Sequence, residues 1–142
     1  MFFSETKIRV RYADTDQMQM VYYGKYFEYF EQGRSDLLRS IDMPYSLIEK
    51  KGIFLPAIEA YANYIYPARF DDLLVVKTIL LELPSSTIRI EYEIKNSERE
   101  LILVTGYTQH CFINASNGKP TRAPNDFIKK IEHAFRTFSP IQ

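Results

Sequence analysis

Three runs between residues 73 and 114 leave little choice about the fold. TIRIEYEIK (87–95) alternates without a break, with Ile88, Ile90, Tyr92 and Ile94 on one side and Arg89, Glu91, Glu93 and Lys95 on the other. A side-chain period of two is a strand with one wet face. Pro84-Ser85-Ser86 joins it to LLVVKTILLEL (73–83), and the stretch from Asn96 to Arg99 joins it to ELILVTGYTQHCFIN (100–114). Strands joined by such short turns must run antiparallel. LLVVKTILLEL is apolar on both faces, which predicts a central strand.

The remaining segments complete an α+β pattern. TKIRVRY (6–12) alternates Ile8, Val10 and Tyr12 with Lys7, Arg9 and Arg11, a half-exposed strand. From residue 24 the period changes. Phe27, Phe30, Gly33, Leu37 and Ile41 fall three or four apart, predicting a long helix over 24–41. Gly33 on that stripe suggests close approach to the sheet. A short helix follows Pro44 and ends at Gly52. FLPAIEAYANYIY (54–66) reads as an aromatic-rich strand, and 124–136 as a final helix starting at Pro124. No repeat or linker interrupts this order, so we expect one domain over 1–142. One early helix covers one face of a five-stranded antiparallel sheet. We expect Val76, Thr78, Leu80, Tyr61 and Ile65 to lie near the uncovered face, which implies a homo-oligomer.

Composition narrows the function. Eighteen basic and eighteen acidic residues cancel, which argues against nucleic acid or an anionic membrane as partner. No apolar stretch approaches the ~20 residues of a membrane span, and MFFSETKIRV does not read as a signal peptide. The single cysteine, Cys111, reads as an inert core thiol and fits a cytoplasmic setting. Eleven Tyr and ten Phe suit clefts and subunit interfaces as well as cores.

The chemistry concentrates in YADTDQMQMVYYGKY (12–26), where Asp14 and Asp16 stand between strand and helix. Asp and Thr are favoured there simply as turn and cap residues. A metal clamp would need further ligands nearby, and neither His110 nor His133 is placed to supply one, so no metal site is expected. The five glycines form no phosphate-cradling loop. An enzymatic reading is also open. The amides at the start of the helix near Gly24 could hold an oxyanion, and Asp16 could attack or activate water at the same carbonyl.

The same run, followed by Phe30-Glu31, Arg34 and Leu37-Leu38-Arg39, closely resembles the 4-hydroxybenzoyl-CoA thioesterase branch of the hotdog-fold acyl-CoA thioesterases. The likeness continues through GIFLP (52–56), PARFDDL (67–73), YEIKN (92–96) and GKPTRAP (118–124), covering nearly the whole chain. The resemblance implies a hotdog fold, a sheet wrapped around a long central helix and paired into dimers or dimers of dimers. It implies hydrolysis of an acyl-CoA thioester without a cofactor, coenzyme A being part of the substrate. The alternative is a hotdog module that binds an acyl-CoA or acyl carrier protein without turnover. Carried over residue by residue, Asp16 is the catalytic acid, the Tyr23 amide the oxyanion donor, and Tyr12 a further catalytic position. Gly24, Tyr26 and Arg69 are expected at the substrate, with Lys119 and Arg122 as further candidates for the coenzyme A phosphates. Two departures stand out. Tyr23 replaces the histidine of close relatives, and Gln19 stands where many members have glycine.

Overall fold

The computed structural model describes residues 1–138. Strand β1 (Phe2–Arg9) leads through a 3-10 turn (Tyr12–Asp14) to the long helix α1 (Lys25–Ser40) and a short α2 (Tyr45–Lys50). Then come β2 (Ile53–Phe54), β3 (Ala57–Tyr64), β4 (Leu73–Leu80), β5 (Thr87–Asn96), β6 (Leu101–Asn114), β7 (Pro120–Thr121) and α3 (Asn125–Thr137). Five long strands pair antiparallel in the order β1-β4-β5-β6-β3, while the two-residue β2 and β7 pair with the far end of β6. The expected five-stranded sheet is thus a seven-stranded one with two minor members. β4 is interior but not central; β5 is the middle strand.

The apolar stripe of α1 packs onto the inner face of the sheet. Tyr29, Phe30, Leu37 and Leu38 are fully buried against Leu74, Val76, Ile88, Ile90 and Ile94. At the crossing, a Cβ added to Gly33 would lie 2.3 Å from Thr78 Oγ1 and 2.9 Å from Val76 Cγ1. Only a residue without a side chain lets helix and sheet come this close.

Two expectations are corrected here. Val76, Thr78 and Leu80 do not face away from the helix; all three are buried beneath it. A strand apolar on both faces carries no alternation to tell inner from outer. The outer face alternates charge instead, with Lys77 beside Glu93 and Glu91 beside Tyr107, which stacks on Tyr61. The exposed apolar surface lies along β3, an edge strand paired only to β6, where Ile58, Tyr61, Tyr64, Ile65 and Tyr66 are exposed. The second correction concerns β1, which ends at Arg9, so Tyr12 belongs to the 3-10 turn and points into solvent.

A polar chain threads the core beside α1. Arg34 Nη1 donates to the Tyr92 hydroxyl at 3.0 Å, which lies 2.6 Å from Thr108 Oγ1. Thr108 Oγ1 is 2.9 Å from His110 Nε2, and His110 Nδ1 is 3.1 Å from the Leu55 carbonyl. That carbonyl can only accept, so Nδ1 carries a proton, and in the neutral ring Thr108 donates to Nε2. Burial first, and then the Arg34 charge, push the His110 pKa down to about 4.

Candidate active site

The segment from Tyr12 to Gly24 is a braced loop. Asp16 N–H donates to the Met20 carbonyl at 2.9 Å, and Thr15 bridges to Val21. Val21 N–H donates to the Ala68 carbonyl at 2.9 Å, stapling the loop to the chain before β4. The tight return needs a left-handed residue, and Gln19 supplies it at φ 63°. The loop therefore keeps the geometry glycine would allow more cheaply, at a cost of about 1 kcal/mol in backbone strain.

The two aspartates part company. The Asp14 carboxylate is buried and fully engaged: Oδ2 accepts from Arg11 N–H at 3.1 Å and Tyr29 Oη at 2.9 Å, and Oδ1 from Arg11 Nη2 at 3.3 Å. Burial acts to raise its pKa, but the Arg11 amide, the Tyr29 hydroxyl and the Arg11 charge outweigh it and hold the carboxyl below the usual range. Burial, with Asp14 second, pushes the Tyr29 phenol far upward.

Asp16 is half-buried and only half engaged. Its Oδ1 accepts the Met18 and Met20 amides at 2.8 and 3.4 Å, and Oδ2 has no partner among the described residues. One oxygen is held by the loop, leaving the other for chemistry.

That carboxylate forms a wall between two cavities. The first, 340 Å³, is mostly apolar and lined by Asp16, Met18, Met20, Val21, Tyr23 and Tyr26 with Tyr64, Ile65, Tyr66 and Pro67. The Tyr26 hydroxyl accepts the Ala68 N–H at 3.1 Å; burial raises its pKa, keeping it a neutral phenol. The second cavity, 460 Å³, is more polar and holds Tyr12, Thr15, Asp16, Gln17, Gln19, Arg69 and Phe70. Tyr12 lies edge-on to Phe70 there, with ring centroids 5.7 Å apart. A larger cavity of 590 Å³ lies at the other end of α1, beside Ser40, Ile41 and Asp42 and lined also by Lys129, Lys130 and His133 of α3. It contains neither Asp16 nor the amides at the start of α1.

Gly24 is the N-cap of α1, in helical conformation with no side-chain cap. Tyr22 N–H donates to the Asp14 carbonyl and Lys25 N–H to the Tyr22 carbonyl, each at 2.9 Å. Among the described residues, the Tyr23 and Gly24 amides donate to nothing. Free donors at a helix start carry positive dipole character.

Asp16, Tyr23 and Tyr26 thus line one cavity, Tyr12, Arg69 and Asp16 the other, and Gly24 caps the helix beside them. Lys119 and Arg122 flank β7 and line neither cavity. The described residues contain no group of three or more His, Cys, Asp or Glu able to hold a metal ion. Sequence reasoning passed over Met18, Met20, Tyr64 and Tyr66.

The model of the thioesterase-like superfamily matches residues 10–131. The chain belongs to that superfamily. Among solved structures, the DHNA-CoA thioesterase of Staphylococcus aureus superposes with a TM-score of 0.85 at 30% identity, over 96% of this chain and 90% of that one. Protein TT1821 of Thermus thermophilus gives 0.85 at 32% identity, over 93% and 97%. The acyl-CoA thioesterase YbgC of Haemophilus influenzae is 27% identical over 89% of this chain and 92% of its own. The fold of this superfamily member is the hotdog: a long helix held in the curl of an antiparallel sheet.

Proposed function

We propose that the protein hydrolyses acyl-CoA thioesters, with Asp16 as the catalytic carboxylate and the Tyr23 and Gly24 amides as the oxyanion hole. One observation carries the reading: a carboxylate with an unspent oxygen shares an apolar cavity with a helix start whose amides bond to nothing. The names of the relatives, acyl-CoA and DHNA-CoA thioesterases, support the substrate class.

Asp16 either attacks the thioester carbon, forming an anhydride that water then opens, or takes a proton from the attacking water. Both routes put negative charge on the carbonyl oxygen, where preorganised amides stabilise it most. The products are the free acid and coenzyme A thiol, and the chemistry asks for no cofactor. Tyr23 acts through its main chain, so the loss of a histidine side chain there leaves this route intact. The acyl group occupies the aromatic and methionine-lined cavity, with Tyr26 in its wall. Tyr12 and Arg69, on the polar side of Asp16, face the coenzyme A moiety.

Copies of the chain pair through the exposed edge of β3, since a free edge bearing large apolar side chains invites another strand. No helix among the described residues is long and apolar enough to cross a membrane, and a cytoplasmic setting suits the free thiol of Cys111. The test is thiol release from acetyl-, octanoyl- and benzoyl-CoA, where we expect turnover of at least one. Saturable binding of these compounds with no thiol released from any would show a carrier-type binding module instead.

A further inference from the structure

We propose that Tyr64 is a positioning residue for thioester hydrolysis, holding the backbone that carries the oxyanion amides. Its hydroxyl donates to the Tyr23 carbonyl at 2.9 Å, reaching from the sheet edge to the turn before α1. A carbonyl can only accept, so the direction of this bond is fixed.

The consequence follows from peptide geometry. A peptide unit is planar, so the Tyr22 carbonyl shares its plane with the Tyr23 N–H, and the Tyr23 carbonyl shares its plane with the Gly24 N–H. The Lys25 amide fixes the first plane through the Tyr22 carbonyl at 2.9 Å. Tyr64 fixes the second through the Tyr23 carbonyl. Both of these amides are without acceptors among the described residues. A hydrogen bond to the carbonyl also polarises the N–H of the same peptide, strengthening it as a donor.

Tyr64 is well mounted for this task. It ends β3, and the two amides that follow it, Ile65 N–H and Tyr66 N–H, both bond the Leu103 carbonyl, at 2.8 and 3.1 Å. Its ring packs against Tyr26 with centroids 5.4 Å apart, and Tyr26 is itself anchored on Ala68. Its ring also lines the apolar cavity. One side chain therefore joins the acyl-binding wall to the oxyanion turn.

Tyr64→Phe keeps the ring and removes only the hydroxyl. Losing one oxyanion donor outright costs about 10²–10³ in kcat, and loosening its support is expected to cost about 10-fold. On the best substrate of the panel, we expect kcat to fall by that factor, KM to stay within about twofold and the melting temperature within about 2 °C. A Raman difference spectrum of benzoyl-CoA bound to the Asp16→Asn protein adds a second readout. Adding Tyr64→Phe should weaken the downshift of the thioester carbonyl stretch, which a role confined to packing would leave alone.

The inference rests on the hydrolytic reading, so Asp16→Asn is assayed alongside. Rate lost in Asp16→Asn but kept within twofold in Tyr64→Phe overturns the role of Tyr64 alone. So does a Tyr64→Phe rate loss matched by a raised KM and an unchanged carbonyl stretch. Wild-type rate in Asp16→Asn overturns the reading of Asp16 itself.

Discussion

Lowering the pH from 7 to 5 should remove about 2 kcal/mol of stability through one side chain, His110. The neutral ring is fixed at both ends: Nδ1–H donates to the Leu55 carbonyl, and Nε2 accepts from Thr108, whose oxygen accepts from Tyr92, whose oxygen accepts from Arg34. Protonation turns Nε2 into a donor. Thr108 can then accept from both Nε2 and Tyr92, which costs its own hydrogen an acceptor, or donate to Tyr92, which turns the Tyr92 proton toward Arg34, a group that cannot accept it. A second cation is also buried near the Arg34 guanidinium. The pKa falls from 6.5 to about 4 on folding, so between those values the unfolded chain holds more protons than the folded one. Stability is then fully present above about pH 6.5, is lost as pH falls, and levels off near pH 4. At pH 5 the linkage relation, with unfolded and folded values of 6.5 and about 4, gives a loss of about 2 kcal/mol. Asp14 acts in a lower window, because a depressed carboxyl loses its contribution only as pH falls below about 4. Urea unfolding at pH 7, 6 and 5, repeated for His110→Gln, reads the effect. The variant starts less stable but should lose much less between pH 7 and 5. Equal slopes in the two proteins would refute the reasoning.

Three further outcomes follow from the packing. Gly33→Ala should destabilise by about 1–2 kcal/mol in urea unfolding, because overpacking against Thr78 and Val76 exceeds the gain in helix propensity. Thr78→Val should stabilise by about 1 kcal/mol, since the Thr78 hydroxyl is buried without a hydrogen-bond partner and valine keeps the shape. Asp14→Asn should cost about 2 kcal/mol, because even with its oxygen kept toward the Arg11 amide and Tyr29, its NH2 faces the Arg11 guanidinium and Lys25 and the charge that pairs them is lost; calorimetry would register a melting temperature lower by several degrees.

Much of the architecture was legible because period carries it. The alternation of Ile88 to Ile94 with Arg89 to Lys95 marks β5 and its buried face, and the three-to-four spacing of Phe27 to Leu37 marks α1. Gly33 is legible as a close approach because an apolar stripe has no other use for glycine. The facing of β4 was not legible. With Leu74, Val75, Val76 and Leu80 all buried, either face of β4 suits the helix, and composition alone does not tell which side chains lie outside. The oligomer argument consequently moves from a sheet face to the β3 edge. At the site, the acids were legible as a pair, but their division of labour depends on long-range partners. Tyr29, fifteen residues from Asp14, takes up its carboxylate, and nothing local announces this. Gln19 in a left-handed turn contradicts local preference outright; the pairing of Met20 with Arg69 and of Val21 with Ala68 holds it there. The bond from Tyr64 to Tyr23 spans 41 residues and is visible only in the folded chain.

The central claim is that the free oxygen of Asp16 performs the hydrolysis, and Asp16→Asn tests it most directly. Asparagine retains the carbonyl oxygen that accepts the Met18 and Met20 amides, so the loop should keep its form while losing the attacking oxygen. With the substrate that wild type turns over best, thiol release should fall at least ~10²-fold in kcat, a loss of about 2.7 kcal/mol of transition-state stabilisation, with an unchanged melting temperature. Thiol release at the wild-type rate from a folded Asp16→Asn protein would contradict it.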